Sequence, residues 1–532
     1  MSDTPFAYQA HDTLFGALLA AAGRFGRSTP RWEDMKPGSY SYADLIKMAL
    51  ALGRLSCKLT SPGEHVGVLM PNMATSVALL IGLSAFRRIP CMLNYTAGTD
   101  GMENACRAAG VRTLLTSRLF LDKAELKEQV EALRGVRLVY LEDLRRRFGL
   151  ADKLWLIAWA QHFPRLAVPK GDPEAPAVVM FTSGSEGKPK GVVLSHRALL
   201  ANVAQVRHLF PFGPGDTIFN ALPIFHSFGL TAGTLIALVS GARLVIYTSP
   251  LHFKNIPELV RSKRCSIMFG TSTFLHHYAR HAGAGDFKTM KIVVAGAERL
   301  ADSVRQTWRD QYGIEIMEGY GATETAPVLA VNYPGHHRAG TVGQLLPGIE
   351  ARIIPVPGID RGGELHVRGP NLMSGYYRFG TPALLEPPSS EAGPGWHDTG
   401  DVAEFDEDGY LTILGRLKRF AKVAGEMVSL EIVESIARTA SPETQHAASS
   451  ASDPARGEAI ILFTTDATLT REQLSTAAKA LGYPEIAVPR SIRVVEQLPL
   501  LGTGKVDYPR LKEDALAPGK PNRENGPGSI YY

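Results

Sequence analysis

Within ten residues, Thr182-Ser-Gly-Ser-Glu-Gly-Lys-Pro-Lys-Gly191 carries three glycines, two serines, a threonine and two lysines. That mixture suits a polyphosphate. Gly184, Gly187 and Gly191 allow positive φ and close approach of a ligand to the backbone. Successive N–H groups in such a loop form an anion nest. Thr182, Ser183 and Ser185 add hydroxyl donors, and Lys188 and Lys190 add positive charge. The stretch is not a Walker A loop, in which Gly-Lys is followed by Ser or Thr at the start of a helix. Here Gly187-Lys188 is followed by Pro189, which removes a backbone donor. Taken alone, the stretch reads equally well as a Gly/Ser surface turn.

The elements around it are those of an α/β fold. The apolar run from Ala177 to Phe181 reads as a buried strand leading into the loop. Upstream, strand-like runs at 66–70, 91–94, 111–115 and 136–140 alternate with helical patterns, which argues for a mostly parallel sheet. Downstream, His196 to Leu209 reads as a helix and Thr217 to Leu222 as a strand. Lys291 to Ala295 runs into Gly296-Ala-Glu298, and Ile314 to Met317 runs into Glu318-Gly-Tyr-Gly-Ala-Thr-Glu324. Ligands of open α/β sheets sit beyond the carboxyl ends of the strands. The turns after Phe181, Ala295 and Met317 are therefore expected in one pocket. From about residue 340, short β-type runs at 350–356, 363–368 and 409–414 indicate a small β-rich portion. Residues 517–532 read as disordered.

At 532 residues the chain is expected to hold two or three domains. A net charge of +5 is mild and far from a nucleic-acid-binding balance, so no nucleic acid partner is expected. The cysteines, Cys57, Cys91, Cys106 and Cys265, are scattered without a Cys-x-x-Cys pair, and fit a reducing cytoplasm rather than a zinc site or disulfide framework. The N-terminus lacks the pattern of a signal peptide. No stretch has the length of a spanning helix. Leu154 to Phe163, with two tryptophans between Lys153 and Arg165, reads either as a helix packed on its own protein or as a segment at a membrane interface.

The order of TSGSEGKPKG, EGYGATE, DTGD, GRLKR, KVAGEMVSLEIVE and GTGK resembles the adenylate-forming superfamily of acyl-CoA synthetases, adenylation domains and luciferases, over roughly residues 12–515. The stretches LPIFHSFGL, FGTSTFLHHYAR, VVAGAERL, GRLKRFAKVAGEMVSLE and PLLGTGKVDY are most similar to the acyl-ACP synthetase part of bifunctional 2-acylglycerophosphoethanolamine acyltransferase/acyl-ACP synthetases. The resemblance implies an N-terminal adenylate-forming domain at 1–415, made of two α/β subdomains and a β subdomain. A hinge at 416–421, a mobile α+β domain at 422–515 and a tail at 516–532 follow. It also implies a reaction in which a fatty acid attacks ATP, giving an acyl-adenylate, and the acyl group then passes to the pantetheine thiol of acyl carrier protein, or alternatively of CoA. A non-catalytic adenylate binder or carrier-docking relative is the remaining class. A peripheral position at the inner face of the cell membrane and a separate acyltransferase chain are possible companions. His281-x4-Asp286 matches an acyltransferase signature by letters only, amid synthetase motifs.

The resemblance also assigns residues. The loop from Thr182 to Lys190 would hold the β- and γ-phosphates. Glu324 would bind Mg²⁺ and Thr323 the α-phosphate. Tyr320, between Gly319 and Gly321, would lie against adenine, with Gly296, Ala297 and Glu298 on its other face. Asp401 and Arg416 would hold the ribose. Lys505 would bridge the α-phosphate and the substrate carboxylate, and hinge rotation at Arg419 would exchange it for the Ala424-Gly425 loop, where Gly425 leaves room for pantetheine. His226 either gates the acyl pocket or is a core histidine, and Gly229, Gly270 and Gly296 suggest small lining positions. Two residues depart from the family pattern. Glu186 stands where threonine is usual, and a carboxylate there would repel a triphosphate by roughly 1–4 kcal/mol at about 4 Å. Arg419 stands where the hinge usually has an acidic residue or lysine.

Overall fold

The computed structural model describes residues 12–183, 189–453, 457–499 and 506–516. The expected tail at 517–532 lies outside them. Backbone contacts divide the chain into two units. One comprises Met1–Arg352, His366–Thr399 and Phe405–Thr412; the other comprises Ile353–Leu365, Gly400–Glu404 and Ile413–Tyr532. The chain passes between them within the strands Glu350–Ile354, Gly363–Arg368, His397–Phe405 and Leu411–Arg416. Three of these strands coincide with or overlap the β-type runs expected at 350–356, 363–368 and 409–414.

The first unit is built on two mixed sheets. In the nine-stranded sheet the central strands, Thr217–Asn220, Ile267–Gly270, Ile292–Ala295 and Ile316–Gly321, are parallel, as the alternation of apolar runs and helices requires. The eight-stranded sheet takes the order Thr381–Glu386, Gly375–Arg378, Pro189–Ser195, Pro176–Ser183, Ile89–Met92, His65–Val68, Thr113–Thr116, Arg137–Tyr140. Its four N-terminal strands are parallel to Pro176–Ser183, whereas Pro189–Ser195 returns antiparallel. The two flanks of the phosphate-loop stretch thus pair antiparallel, up to Ser183 opposite Pro189, because both are rich in β-branched and apolar residues (Ala177 to Phe181; Val192 to Leu194). The helix Ala74–Ala85 is buried nearly all round. No helix among the described residues is long and apolar enough to cross a membrane.

The helix His196–Leu209 follows the hairpin directly. Ser195 caps it, accepting from the Ala198 N–H at 3.1 Å. His196 is buried, and its Nδ1 accepts the Leu14 N–H at 3.1 Å, tying the N-terminal helix Leu14–Phe25 to the hairpin. Burial pushes the His196 pKa down to about 4, opposed by Asp12 and Asp172. The unfolded chain protonates near pH 6.5, so the neutral-histidine contribution is complete above that pH and is lost as the pH falls toward 4. Between pH 7 and 5 this group is expected to remove about 2 kcal/mol of stability. Urea midpoints at the two pH values check it: His196→Gln should flatten the pH dependence by that amount, and equal losses in both proteins would refute the assignment.

The second unit carries a five-stranded sheet that pairs Phe420–Val423 with Glu426–Ser429 and with Gly457–Thr464, which also pairs with His446–Asp453 and Ser491–Val494. Its core includes Val433, Ile436, Leu462 and Leu474. Arg419 is anchored inside this unit. Its guanidinium meets Glu434 at 2.7 Å and lies 3.5 Å from the centre of the Tyr508 ring. The same carboxylate accepts the Ala448 N–H at 2.8 Å. Arg419, at the expected hinge position, is therefore a structural cation of the C-terminal unit.

Candidate active site

Strand register decides what meets in the first unit. Gly270 pairs with Ala295, and Ala295 with Glu318, so the segments that follow them emerge side by side. A Cβ on Gly296 would lie 3.4 Å from the Gly319 carbonyl oxygen and 3.3 Å from the Phe228 ring, so these segments are in close contact. Ala297 takes a positive φ of 69°, which costs a residue with a Cβ strain. Glu298 reaches back to accept the Thr273 N–H at 2.5 Å, in the first turn of helix Ser272–His281. There its charge suits the helix N-terminus.

One expectation needs correction. Glu318 to Gly321 is not a turn but the end of the strand Ile316–Gly321, paired antiparallel with Val328–Val331 so that Tyr320 stands opposite Ala330. The strand continues because its partner supplies the ladder beyond Met317. Gly321 has no room for a side chain, since a Cβ would lie 2.0 Å from the Pro327 carbonyl oxygen. The turn begins at Ala322, and Thr323 and Glu324 sit in a short 3-10 helix.

The hairpin reaches that turn through a residue the motifs did not single out. Strand Gly375–Arg378 pairs with Pro189–Ser195, placing Tyr376 opposite Val192. The Tyr376 hydroxyl donates to Glu324 Oε1 at 2.8 Å, and the Lys190 ammonium lies 4.3 Å from the centre of its ring. The Met373 N–H binds the Glu324 carbonyl at 2.8 Å. Burial, then the Glu324 charge, raise the Tyr376 pKa strongly, so the phenol keeps its proton. His397, 6.5 Å from Tyr376 between ring centroids, has its pKa lowered by burial, with Glu324 and Asp398 opposing. Ser227 donates to Thr323 Oγ1 at 3.4 Å, bringing the His226 segment to the same place.

Thr182 pairs with Lys190 across the hairpin. Thr182 Oγ1 is buried without a hydrogen-bond partner among the described residues, as a phosphate-binding hydroxyl would be before its ligand arrives. Gly184, Ser185, Glu186, Gly187, Lys188 and Lys505 lie outside the described residues. Ser183 lies at the strand end opposite Pro189. The donor set also fits Mg²⁺, a hard cation that takes carboxylate oxygen: Glu324 is an oriented carboxylate, held by a protonated phenol.

In the second unit, Arg416 Nε lies 3.2 Å from Asp401 Oδ1, with Asp401 buried and Arg416 exposed. Ala424 and Gly425 form the two-residue turn between Phe420–Val423 and Glu426–Ser429, both with positive φ (52° and 93°). This is the backbone of a tight hairpin. A Cβ at Gly425 would meet nothing within 4 Å. Backbone twist, rather than crowding, selects glycine there.

One other expectation changes. Gly229 is small because a Cβ would lie 2.3 Å from the Pro223 carbonyl oxygen, so tight backbone packing accounts for it without a pocket. His226 is half-buried against Phe225, with ring centroids 4.6 Å apart. His281 and Asp286 make separate local contacts: the His281 Nδ1–H donates to the His277 carbonyl at 2.9 Å, and Asp286 meets Arg261 at 3.1 Å.

A family model for AMP-binding enzymes matches residues 22–377. The chain belongs to the AMP-binding enzyme family. Among its relatives, the long-chain-fatty-acid–CoA ligase of Salmonella typhimurium is 27% identical over 526 residues, covering 91% of this chain and 90% of the relative. A 3-hydroxybenzoate–CoA ligase of Aromatoleum is 26% identical, covering 89% and 91%. ATP-bound MatB from Rhodopseudomonas palustris, 22% identical, superposes with a TM-score of 0.81 over 95% of this chain and 99% of its own. This likeness shows the fold expected from the motifs: α/β, with a large N-terminal and a small C-terminal portion.

The Tyr376 hydroxyl orients Glu324, the carboxylate that the resemblance expects to bind Mg²⁺. Partners of metal-binding carboxylates typically change metal affinity or activity about 10–100-fold when removed. Tyr376→Phe should therefore raise the Mg²⁺ concentration for half-maximal AMP release by about tenfold or more, with the melting temperature little changed. An unchanged Mg²⁺ dependence would refute that role. Ser227, which reaches Thr323, was likewise not marked by the motifs. No motif spacing marks it; only the path of the segment at 223–229 brings it in.

Proposed function

We propose that the chain is an ATP-dependent acid–thiol ligase that activates a fatty acid as its acyl-adenylate and transfers the acyl group to CoA. The observation that carries the reading is the junction of Thr182, Lys190, Tyr376 and Glu324 in a member of the AMP-binding family. In the first half-reaction, a carboxylate oxygen attacks the α-phosphorus of ATP and pyrophosphate leaves. Two anions must meet, so fixed positive charge and donors have to be in place beforehand. Thr182, Lys190 and the loop between them would hold the outer phosphates, and Thr323 the α-phosphate. Mg²⁺ held at Glu324 would neutralise phosphate charge. Gly296 to Glu298 and Gly319 to Gly321 would flank adenine, and Asp401 and Arg416 would take the ribose. In the second half-reaction, the thiol sulfur attacks the acyl carbon, AMP leaves and the thiol proton is lost to solvent.

A fatty acid and CoA are favoured by relatives such as the Salmonella long-chain-fatty-acid–CoA ligase. Acyl carrier protein is the second reading. It rests on the stretches resembling acyl-ACP synthetases, including GRLKRFAKVAGEMVSLE and PLLGTGKVDY, and would connect the enzyme to phospholipid acyl recycling. The test supplies ATP, Mg²⁺ and palmitate with either CoA or holo acyl carrier protein, and follows AMP and thioester together. Thioester on CoA supports the proposal. Thioester on the carrier alone replaces it with the second reading, and no AMP with any of a panel of carboxylates refutes both.

A further inference from the structure

Six of the fourteen large apolar side chains exposed among the described residues fall between 150 and 166: Leu150, Leu154, Ile157, Trp159, Phe163 and Leu166. Leu150, Leu154, Ile157 and Leu166 are 73%, 59%, 60% and 71% exposed. Soluble surfaces scatter such residues singly; a concentration marks an interaction surface.

The segment is firmly seated, so its outward face is a property of the fold. Helix Leu150–Leu154 continues into the π-helical turn Trp155–Ala160. Its inner face buries Asp152, Leu156 and Ala160. Asp152 binds Arg54 at 2.8 Å and is also paired with Lys58. Trp155 lies under the Arg54 guanidinium, 4.3 Å from the ring centre. Anchoring by the 152/156/160 row turns Leu150, Leu154 and Ile157 to solvent as a second row at helical spacing. The apolar surface extends to Phe163 and Leu166, which help line an open groove of about 400 Å³ with Leu19 and Ile46.

The charge around this ridge selects its partner. Between Leu141 and Lys170 there are six Lys/Arg and three Asp/Glu. Arg145, Arg146, Arg147, Lys153, Arg165 and Lys170 are all exposed. Two of the three acids are already engaged: Asp152 as above, and Asp143 with Arg118 at 2.6 Å. An exposed apolar row with tryptophan and a basic surround is the composition of an interfacial membrane segment, and basic residues beside it are drawn to an anionic leaflet.

We propose that residues 145–166 dock this protein onto an anionic lipid bilayer, with Leu150, Leu154 and Ile157 entering the acyl boundary and Arg145 to Arg147 and Lys153 facing the headgroups. The proposal stands on this surface and not on the acceptor thiol or the carboxylate used.

The test is co-sedimentation of the full chain with phosphatidylcholine vesicles containing 30% phosphatidylglycerol, against pure phosphatidylcholine. Binding to the anionic vesicles is expected to exceed binding to the neutral ones by about tenfold or more, and to fall with added salt. L154E/I157E and R145E/R146E/R147E should each reduce it by about tenfold or more, while AMP release with a water-soluble short-chain acid and the melting temperature stay at the parent values. Equal binding of the parent and both variants would overturn the proposal. So would absence of vesicle binding together with a dimer in sedimentation velocity that L154E/I157E dissociates, since that assigns the ridge to a second copy of the chain.

Discussion

Replacing Lys505 by alanine should separate the two half-reactions. Acyl-adenylate formation is expected to fall about 10²–10³-fold, the cost of removing one donor from developing transition-state charge. Thioester formation from preformed acyl-adenylate should stay within about threefold, because the charge bridged by the lysine belongs to the first step. Pyrophosphate release measures the first half, and thioester from synthetic acyl-adenylate the second. Equal losses in both halves would mean that Lys505 supports folding or general binding instead. The residue sits in Leu501-Gly-Thr-Gly-Lys505, with small residues before it and Val506 after it. Nothing else in that stretch carries charge, so no neighbour there could take over the role.

Glu324→Gln should be the more damaging change in the first unit. The amide keeps the shape and can still accept from the Tyr376 hydroxyl, so folding should be preserved. What disappears is the full negative charge that would hold Mg²⁺. AMP release is expected to drop by about 10²–10³-fold at any Mg²⁺ concentration, the range typical for loss of one key electrostatic group. Comparison with Tyr376→Phe makes the result specific. Loss of the phenol should be compensated by more Mg²⁺, whereas loss of the carboxylate should not. If Glu324→Gln kept the parent rate, the metal would have to be held elsewhere. If both variants responded alike to Mg²⁺, the phenol and the carboxylate would be acting through packing alone.

The contrast between Glu324 and Tyr376 also shows where reading the chain runs out. Glu324 and Thr323 were visible because Glu318-Gly-Tyr-Gly-Ala-Thr-Glu324 is one of the motifs that carry the family resemblance. Thr182 and Lys190 were visible from the glycines, hydroxyls and lysines packed into their loop. Tyr376 sits in Gly375-Tyr-Tyr-Arg378, which reads as an ordinary short strand, and it becomes a partner of Glu324 only because that strand pairs with Pro189–Ser195. Ser227 is similar: it is an unremarkable side chain until the path of its segment brings it to Thr323. Gly229 failed in the opposite direction. Its smallness was legible, but the cause was backbone contact within 2.3 Å of the Pro223 carbonyl, which no local pattern encodes.

Local sequence determined the things that depend on local physics. Alternating apolar runs and amphipathic stretches specified an α/β chain, glycines and hydroxyls marked a phosphate-suited loop, and motif order marked the family. The tertiary structure decided what depends on register and on which face is buried. It made Glu318 to Gly321 a strand, because Val328–Val331 completes its hydrogen bonds. It turned Arg419 into an anchor of the C-terminal unit, because Glu434 and Tyr508 converge on it. It also set the outward face of residues 150–157, because Asp152, Leu156 and Ala160 are the row that the body of the protein buries. A helical segment that sets leucine and tryptophan beside charged residues can offer either face to solvent; only the packing of its neighbours chooses one.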